Sequence, residues 1–257
     1  MSAALDFDSP LYSCHQVGRL AVFRFERSVL DIGTDLALKD KELELFRSAE
    51  VSPDTDAILF LNSRQAFGEG EYDRFLHRLF SPAESGDSFE RDRLVHREEI
   101  AINQLITAID GCPKATFIGL QGHVAGPFVG ISLAFDYRLA ASDMVYSVAC
   151  VRTGIPPGGG LGFFLPMHLG IGRTKEIVFR GDDIPAAEAR DLGLVNAVLP
   201  VESFEEQCIA RAQQIAARAG RIGHTKRLLH PYSPEELAAY LEREYAVMRQ
   251  VWMHPER

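Results

Sequence analysis

Along the chain the spacing of apolar positions switches between period two and the longer helical period, which predicts strands alternating with helices. From Leu20 to Glu26 the residues LAVFRFE put Phe23 and Phe25 on one face and Arg24 and Glu26 on the other, the pattern of a half-buried strand. Ser28 to Glu50 reads as a loop followed by a helix. AILFL, Ala57 to Leu61, is a continuous apolar run, as expected for a strand covered on both faces. It leads into NSRQAFGEGEYDRFL, a loop holding Gly68 and Gly70 followed by a helical pattern. SPAESGDS, Ser81 to Ser88, is polar and rich in breakers and predicts a mobile loop. Beyond it a helix runs towards Pro113, with Ile102, Leu105, Ile106 and Ile109 as one apolar stripe.

The central stretch, Gly119 to Gly162, contains two backbone devices. An apolar strand from Thr116 to Gln121 enters Gly122, His123, Val124, Ala125, Gly126 and Pro127, and then FVGISLAF. Proline suits a first helical position because its missing N–H would be unpaired there anyway, so a helix is predicted to start at Pro127. Free N–H groups at such a start, with the positive end of the helix dipole, suit an anion or an oxygen that gains negative charge. The second device, GIPPGGGLG from Gly154 to Gly162, can bring bare backbone close to whatever sits in front of the first.

Further on, Asp183, Ile184 and Pro185 are predicted to open a short helix that Gly193 closes, and LVNAVLP, Leu194 to Pro200, reads as a strand. Ser203 with Glu206 has the spacing of a capping box for a helix ending near Gly220; Ser233 with Glu236 repeats it for a final helix. On that helix Leu237, Leu241, Tyr245, Met248 and Trp252 line one face. The region from about residue 201 is therefore expected to dock on the core, residues 1–200, or on a second subunit.

Composition narrows the function. With 257 residues, 46% of them hydrophobic, the chain can build one large domain or one domain with an appendage. A formal net charge of -9 argues against a nucleic-acid face. Cys14, Cys112, Cys150 and Cys208 lack CxxC spacing, so neither a zinc site nor a disulfide framework is indicated and no metal is expected. MSAALDFDSP lacks the pattern of a signal peptide, and no apolar run approaches a membrane span, so a cytoplasmic protein away from the membrane is expected.

The succession GHVAGPFVGISLAFDYRLAASD, GIPPGGGLGFFLPMHLG and GRTKEIVFRGDDIPAAEARDLGLVNAVLP, preceded by a strand and AFGEGEYD, resembles the enoyl-CoA hydratase/isomerase family, also called the crotonase superfamily. The resemblance runs from the first strand to the final helices and is strongest from Phe117 to Pro200. It implies an α/β fold, a spiral of ββα units with a C-terminal helical region, assembled as a homotrimer or a dimer of trimers. It also implies an acyl-CoA ligand, with coenzyme A as part of the substrate rather than a cofactor. Two backbone N–H groups would grip the thioester carbonyl as it becomes an enolate. By position the first falls on Glu69, next to Gly68.

Two departures stand out. The usual glycine donor is Pro127, following Gly126, and proline has no N–H; either one donor is lost or Phe128 supplies it. The two glutamates with which family hydratases handle water and proton correspond to Gly130 and Cys150. Two-glutamate hydration is therefore disfavoured.

Candidate replacements each carry a plainer alternative. Glu69 and Glu71 can put a carboxylate near the reacting carbons or simply face solvent. His123 can act as a base near neutral pH or be held by a backbone carbonyl. Cys150 can be a nucleophile if Arg152 lowers its pKa, or core packing. Arg152 can bind an anionic substrate group or pair with a surface carboxylate. Lys226, by the resemblance, lies near the nucleotide end of the ligand, or else on a solvated helix face. Three functions remain: an enzyme acting on an acyl thioester through an enolate, a β-diketone C–C bond hydrolase working without coenzyme A, and an inactive acyl-binding or assembly protein. The first leads.

Overall fold

A computed structural model describes residues 5–27, 29–80, 88–148, 150, 154–217 and 222–253. Of the loop expected over residues 81–88, residues 81–87 lie outside the described residues and Ser88 already belongs to a helix; the helix end expected near Gly220 and the candidate Arg152 also lie outside them.

The chain begins with β1 (Asp6–Asp8), β2 (Tyr12–Val17) and β3 (Leu20–Phe25), followed by α1 (Val29–Thr34), α2 (Leu36–Val51) and β4 (Ala57–Asn62). Next come α3 (Glu69–Phe80), α4 (Ser88–Gly111), β5 (Ala115–Leu120), β6 (His123–Ala125), α5 (Pro127–Leu133), β7 (Tyr137–Ala141) and β8 (Val145–Ser147). The last third holds α6 (Leu161–Arg180), β9 (Asp183–Pro185), α7 (Ala186–Asp191), β10 (Ala197–Leu199), α8 (Phe204–Ala216), α9 (Ile222–Leu229) and α10 (Pro234–Met253).

Seven strands form one sheet in the order β1-β2-β3-β4-β5-β7-β10, antiparallel as far as β3 and parallel beyond it. A smaller sheet joins β6 to β8 in parallel and β8 to β9 in antiparallel fashion. Period-two alternation sends the two faces of the large sheet into different cores. Ala21, Phe23 and Phe25 enter the larger core with Phe46, Phe60 and Ile118, whereas Leu20 and Val22 pack with Phe117 and with Phe204, Cys208 and Ala212 of α8.

This arrangement corrects the reading of β3 as half-buried. Its second face is covered by α8, and even Arg24 is only partly exposed because it reaches Glu205 at 2.7 Å. Asp183, Ile184 and Pro185 do not open a helix: they form β9, and the helix begins only at Ala186, with Pro185 as its cap. Of the two capping boxes, the second is present. Ser233 N–H donates to the Glu236 carboxylate at 2.6 Å, and Glu236 N–H donates to Ser233 Oγ at 3.3 Å. The first is not, because Ser203 Oγ accepts instead from Gln207 Nε2 at 2.6 Å.

The final helix docks on this chain's own core. Leu237, Leu241, Met248 and Trp252 are buried, and the Trp252 ring lies 6.0 Å from that of Phe75. Each such side chain contributes about 1.5–3 kcal/mol when fully removed from water. Glu244 on the same helix is buried, and its two carboxylate oxygens accept from Gly160 N–H at 3.0 and 3.2 Å. The last element is thereby tied to the glycine loop, Gly154 to Gly162.

Glu42 of α2 is another buried acid; burial pushes its carboxyl up to about 8, and one oxygen has no hydrogen-bond partner. A raised native pKa gives stability that is full below the ordinary carboxylate range and is lost as pH rises through about 8. Glu42→Gln removes that loss. In thermal melts the variant should match the wild type near pH 5 and exceed it at pH 8, with a slope difference of about 1.4 kcal/mol per pH unit between. Parallel pH profiles for the two proteins would show that Glu42 does not titrate in this way.

Candidate active site

The site is built where β4 and β5 end. Asn62 closes β4, and its side chain accepts from Gln121 N–H at 2.9 Å while donating to the carbonyls of Ala66 and Gln121 at 3.1 and 3.0 Å. Gln121 replies with Nε2 on the Asn62 carbonyl at 2.7 Å. These bonds fasten the loop leaving β4 to the loop leaving β5, and Ala125 N–H donates to the Phe67 carbonyl at 2.8 Å. Phe67 itself has φ 69°, a conformation that costs a non-glycine residue about 1–3 kcal/mol and persists only where its surroundings impose it. Two contacts do so here. Its ring stacks on Phe128 at 4.6 Å, and its N–H donates to Glu71 Oε2 at 3.0 Å.

In front of these loops lies a cavity of about 270 Å³. One wall is a face of α3, where Glu69, Tyr72 and Asp73 stand at i, i+3 and i+4. Gly126 and Ala125 form the floor, and Ser147 and Cys150 with the start of the glycine loop close the far side. Ser147 Oγ donates to Glu69 Oε1 at 2.5 Å, which fixes a carboxylate at the cavity while leaving it exposed enough to meet a ligand. Tyr72 packs its ring over Gly126, where a Cβ would lie 3.0 Å from it. Burial, reinforced by Glu98, Cys150, Glu99 and Asp73, drives the phenol well above its usual range and keeps it protonated.

Of the residues singled out from sequence, Glu69, Gly126 and Cys150 meet at this cavity. Glu71 does not. It is buried behind the loop, where its carboxylate accepts from Leu30 N–H at 2.8 Å as well as from Phe67, so it braces backbone rather than facing solvent or substrate. His123 is exposed on β6 and is not part of the lining. Pro127 and Phe128 start α5 as expected but are buried beside the cavity rather than on its wall, and Gly68 lies in the loop just outside it. Burial raises the Cys150 thiol, which opposes the thiolate a nucleophile needs. Lys226 is drawn elsewhere. It is ion-paired with Asp136 at 2.8 Å in a separate cleft that also holds Pro113 and Lys114, at the opposite end of β5.

Tyr72, Asp73 and Ser147 are members of the site that the sequence reading did not pick out. Helical spacing from Glu69 was a usable signal for the first two. Ser147 had none, because only the pairing of β8 beside β6 brings it to the cavity.

Gly130 on α5 is enclosed. A Cβ there would lie 2.3 Å from the Gly159 carbonyl oxygen and 2.6 Å from Leu161 N. The glycine loop thus rests on α5 itself. Among the described residues one trio of possible metal ligands occurs on the first hairpin, the exposed Asp6 and Asp8 with the half-buried His15. Each imidazole nitrogen there already meets a carboxylate, at 2.9 and 3.0 Å. Among the described residues no helix is long and apolar enough to cross a membrane.

Comparison with known proteins agrees with this architecture. The sequence pattern of the enoyl-CoA hydratase/isomerase family matches residues 90–256. A probable enoyl-CoA hydratase of Rhodobacter capsulatus is 29% identical over 189 residues, 73% of this chain and 69% of that one. The mitochondrial enoyl-CoA hydratase domain-containing protein 2 of Mus musculus is 35% identical over 119 residues, and the matched part spans only 40% of it. The crystal structure of an enoyl-CoA hydratase from Bacillus halodurans superposes with a TM-score of 0.79 at 21% identity, covering 94% of each chain. That of an enoyl-CoA hydratase from Mycobacterium avium subsp. paratuberculosis gives 0.73 at 20% identity, over 95% of this chain and 91% of the other. With the parallel-rich sheet, the paired loops and the glycine-rich segment all in place, the chain belongs to the enoyl-CoA hydratase/isomerase family of the crotonase superfamily.

Proposed function

We propose that the protein acts on an acyl thioester of coenzyme A by removing the proton next to the thioester carbonyl, with Glu69 as the base. The observation that carries this reading is the Glu69 carboxylate, held at the cavity by Ser147 at 2.5 Å, beside the first turn of α3. As the α-carbon loses its proton, charge moves onto the carbonyl oxygen, and N–H groups in the first turn of a helix, which have no intrahelical acceptor, can receive it. Glu69 N–H is one of these. Pro127 has none, so the usual position of the second donor is empty and the enolate is read as held mainly from the α3 side. Loss of one donor of such a pair costs about 10²–10³ in rate, which makes this a slower site than a two-donor one.

Hydration by paired glutamates finds no support, since Gly130 carries no side chain and Cys150 is a neutral thiol. The working form is read as a cytoplasmic homotrimer or dimer of trimers. Exposed apolar side chains on α6 and α9, among them Ile171, Phe179, Leu228 and Leu229, supply surface for such assembly.

The test is α-proton exchange. Incubated with a short acyl-CoA in D₂O, the protein should bind the thioester in calorimetry and wash deuterium into the α-position, read by NMR. Absence of both binding and exchange across short, branched and aromatic acyl groups would remove this reading.

A further inference from the structure

The far wall of the cavity takes its position from behind. Ile155, Pro156 and Gly158 of the glycine loop form it, and none of the three belongs to a helix or strand. What stands behind them is α10. On that helix Tyr240, Glu244 and Met248 follow one another at four-residue spacing along one face, and they meet Gly162, Gly160 and Gly158 in turn. The Tyr240 hydroxyl fills the space a side chain at Gly162 would take, and Met248 Cε would lie 3.2 Å from a Cβ at Gly158. Between them the buried Glu244 carboxylate accepts from Gly160 N–H on both oxygens. Burial raises this carboxyl, while the Gly160 N–H, the Tyr240 hydroxyl and the Gly159 N–H draw it back towards the ionised form. Successive N–H groups in a turn make a concavity that holds an anion, and here the anion comes from the chain's own last helix.

We propose that Glu244, with Met248 behind Gly158, is a positioning residue: it fixes how far Ile155, Pro156 and Gly158 stand from α3 and so confines the site to short acyl groups. This rests on the acyl-thioester reading above. Glu244 is not part of the cavity lining, so it acts on the acyl group only through the loop. The enclosed volume of about 270 Å³ fits a short chain, being just below the usual range of ligand sites, about 300–1,000 Å³. A carboxylate that receives backbone N–H groups resists displacement more than apolar contact alone would, since hydrogen bonds to a charged group are the stronger kind.

Glu244→Ala removes the carboxylate and leaves every residue of the lining in place. Wild-type protein should exchange the α-proton of butyryl-CoA with a lower KM than that of decanoyl-CoA. In Glu244→Ala the KM for butyryl-CoA should rise about 10- to 100-fold, the loss expected for a charge-assisted hydrogen bond, and the preference for the shorter chain should shrink by a similar factor. Exchange at saturation should stay within about threefold, because Glu69 and Ser147 are untouched. Glu244→Gln keeps an oxygen for Gly160 N–H and should restore the wild-type preference. Met248→Val, which shortens the side chain behind Gly158 and leaves the carboxylate in place, should relax the preference in the same direction even if Glu244→Ala fails to fold. An acid that served folding alone would lower the melting temperature and leave the ratio of the two KM values where it was. An unchanged ratio in Glu244→Ala or in Met248→Val, or a wild type that binds both thioesters equally, would overturn the proposal with Glu69 still the base. If the wild type neither binds nor exchanges any acyl-CoA, the underlying reading falls as well.

Discussion

Glu69→Gln is expected to abolish most α-proton exchange, lowering its rate about 10²–10⁴-fold, the usual contribution of a positioned general base. The substitution is chosen to separate chemistry from geometry. Glutamine keeps an oxygen that can accept from Ser147 Oγ, and Glu69 is exposed at the cavity mouth, so neither packing nor a buried charge changes. Acyl-CoA affinity should therefore remain near the wild-type value. Ser147→Ala supplies the companion measurement: it leaves the base in place but frees its orientation, and should fall between wild type and Glu69→Gln. Exchange at the wild-type rate in Glu69→Gln would move the base to Asp73, the other carboxylate on the wall. The double variant would then be the one that loses activity.

The parts of the fold legible in the sequence were those set by local chemistry. Pro127 after Gly126 fixes where α5 begins, and the Ser233 and Glu236 pair caps α10, because each depends on residues a few positions apart. The misreadings share a different cause. Asp183 to Pro185 pair as a strand because β8 lies alongside, and β3 is covered on its second face because α8 returns from nearly two hundred residues away. Neither partner is visible in a local window. The site divides along the same line. Glu69 was found through the loop it sits on, but Glu71, two residues on, points the other way round the helix and supports Phe67 instead. Ser147 was missed because strand pairing alone carries it to Glu69. Lys226, read either as near the ligand or as part of a solvated helix face, is ion-paired with Asp136, a partner ninety residues away that no local window shows.

The second large effect concerns what the protein cannot be turned into. Gly130→Glu would place a carboxylate at the position that, by the sequence resemblance, corresponds to a hydratase glutamate, yet we expect it to unfold the site rather than confer hydration. The obstruction begins at the first added atom, since a Cβ on residue 130 meets the Gly159 carbonyl at 2.3 Å, and no side-chain rotation relieves that. The contact is reciprocal, because a Cβ on Gly159, with φ 68°, would lie 2.2 Å from the Pro127 carbonyl oxygen. Helix α5 and the glycine loop therefore meet backbone to backbone, with Glu244 clamping the loop through Gly160 N–H. Overpacking costs about 1–3 kcal/mol and can cost more when backbone must move. A carboxylate buried in this place adds several kcal/mol more unless it is paired. Denaturant unfolding should show a loss of about 4 kcal/mol or more for Gly130→Glu and a smaller but clear loss for Gly130→Ala, which carries the colliding Cβ alone. The double variant Gly130→Glu with Cys150→Glu should hydrate no enoyl-CoA. If it melted like the wild type and gained hydratase activity, the glycine loop would have to swing off α5 freely. Hydration would then be limited by two side chains rather than by how the backbone is packed.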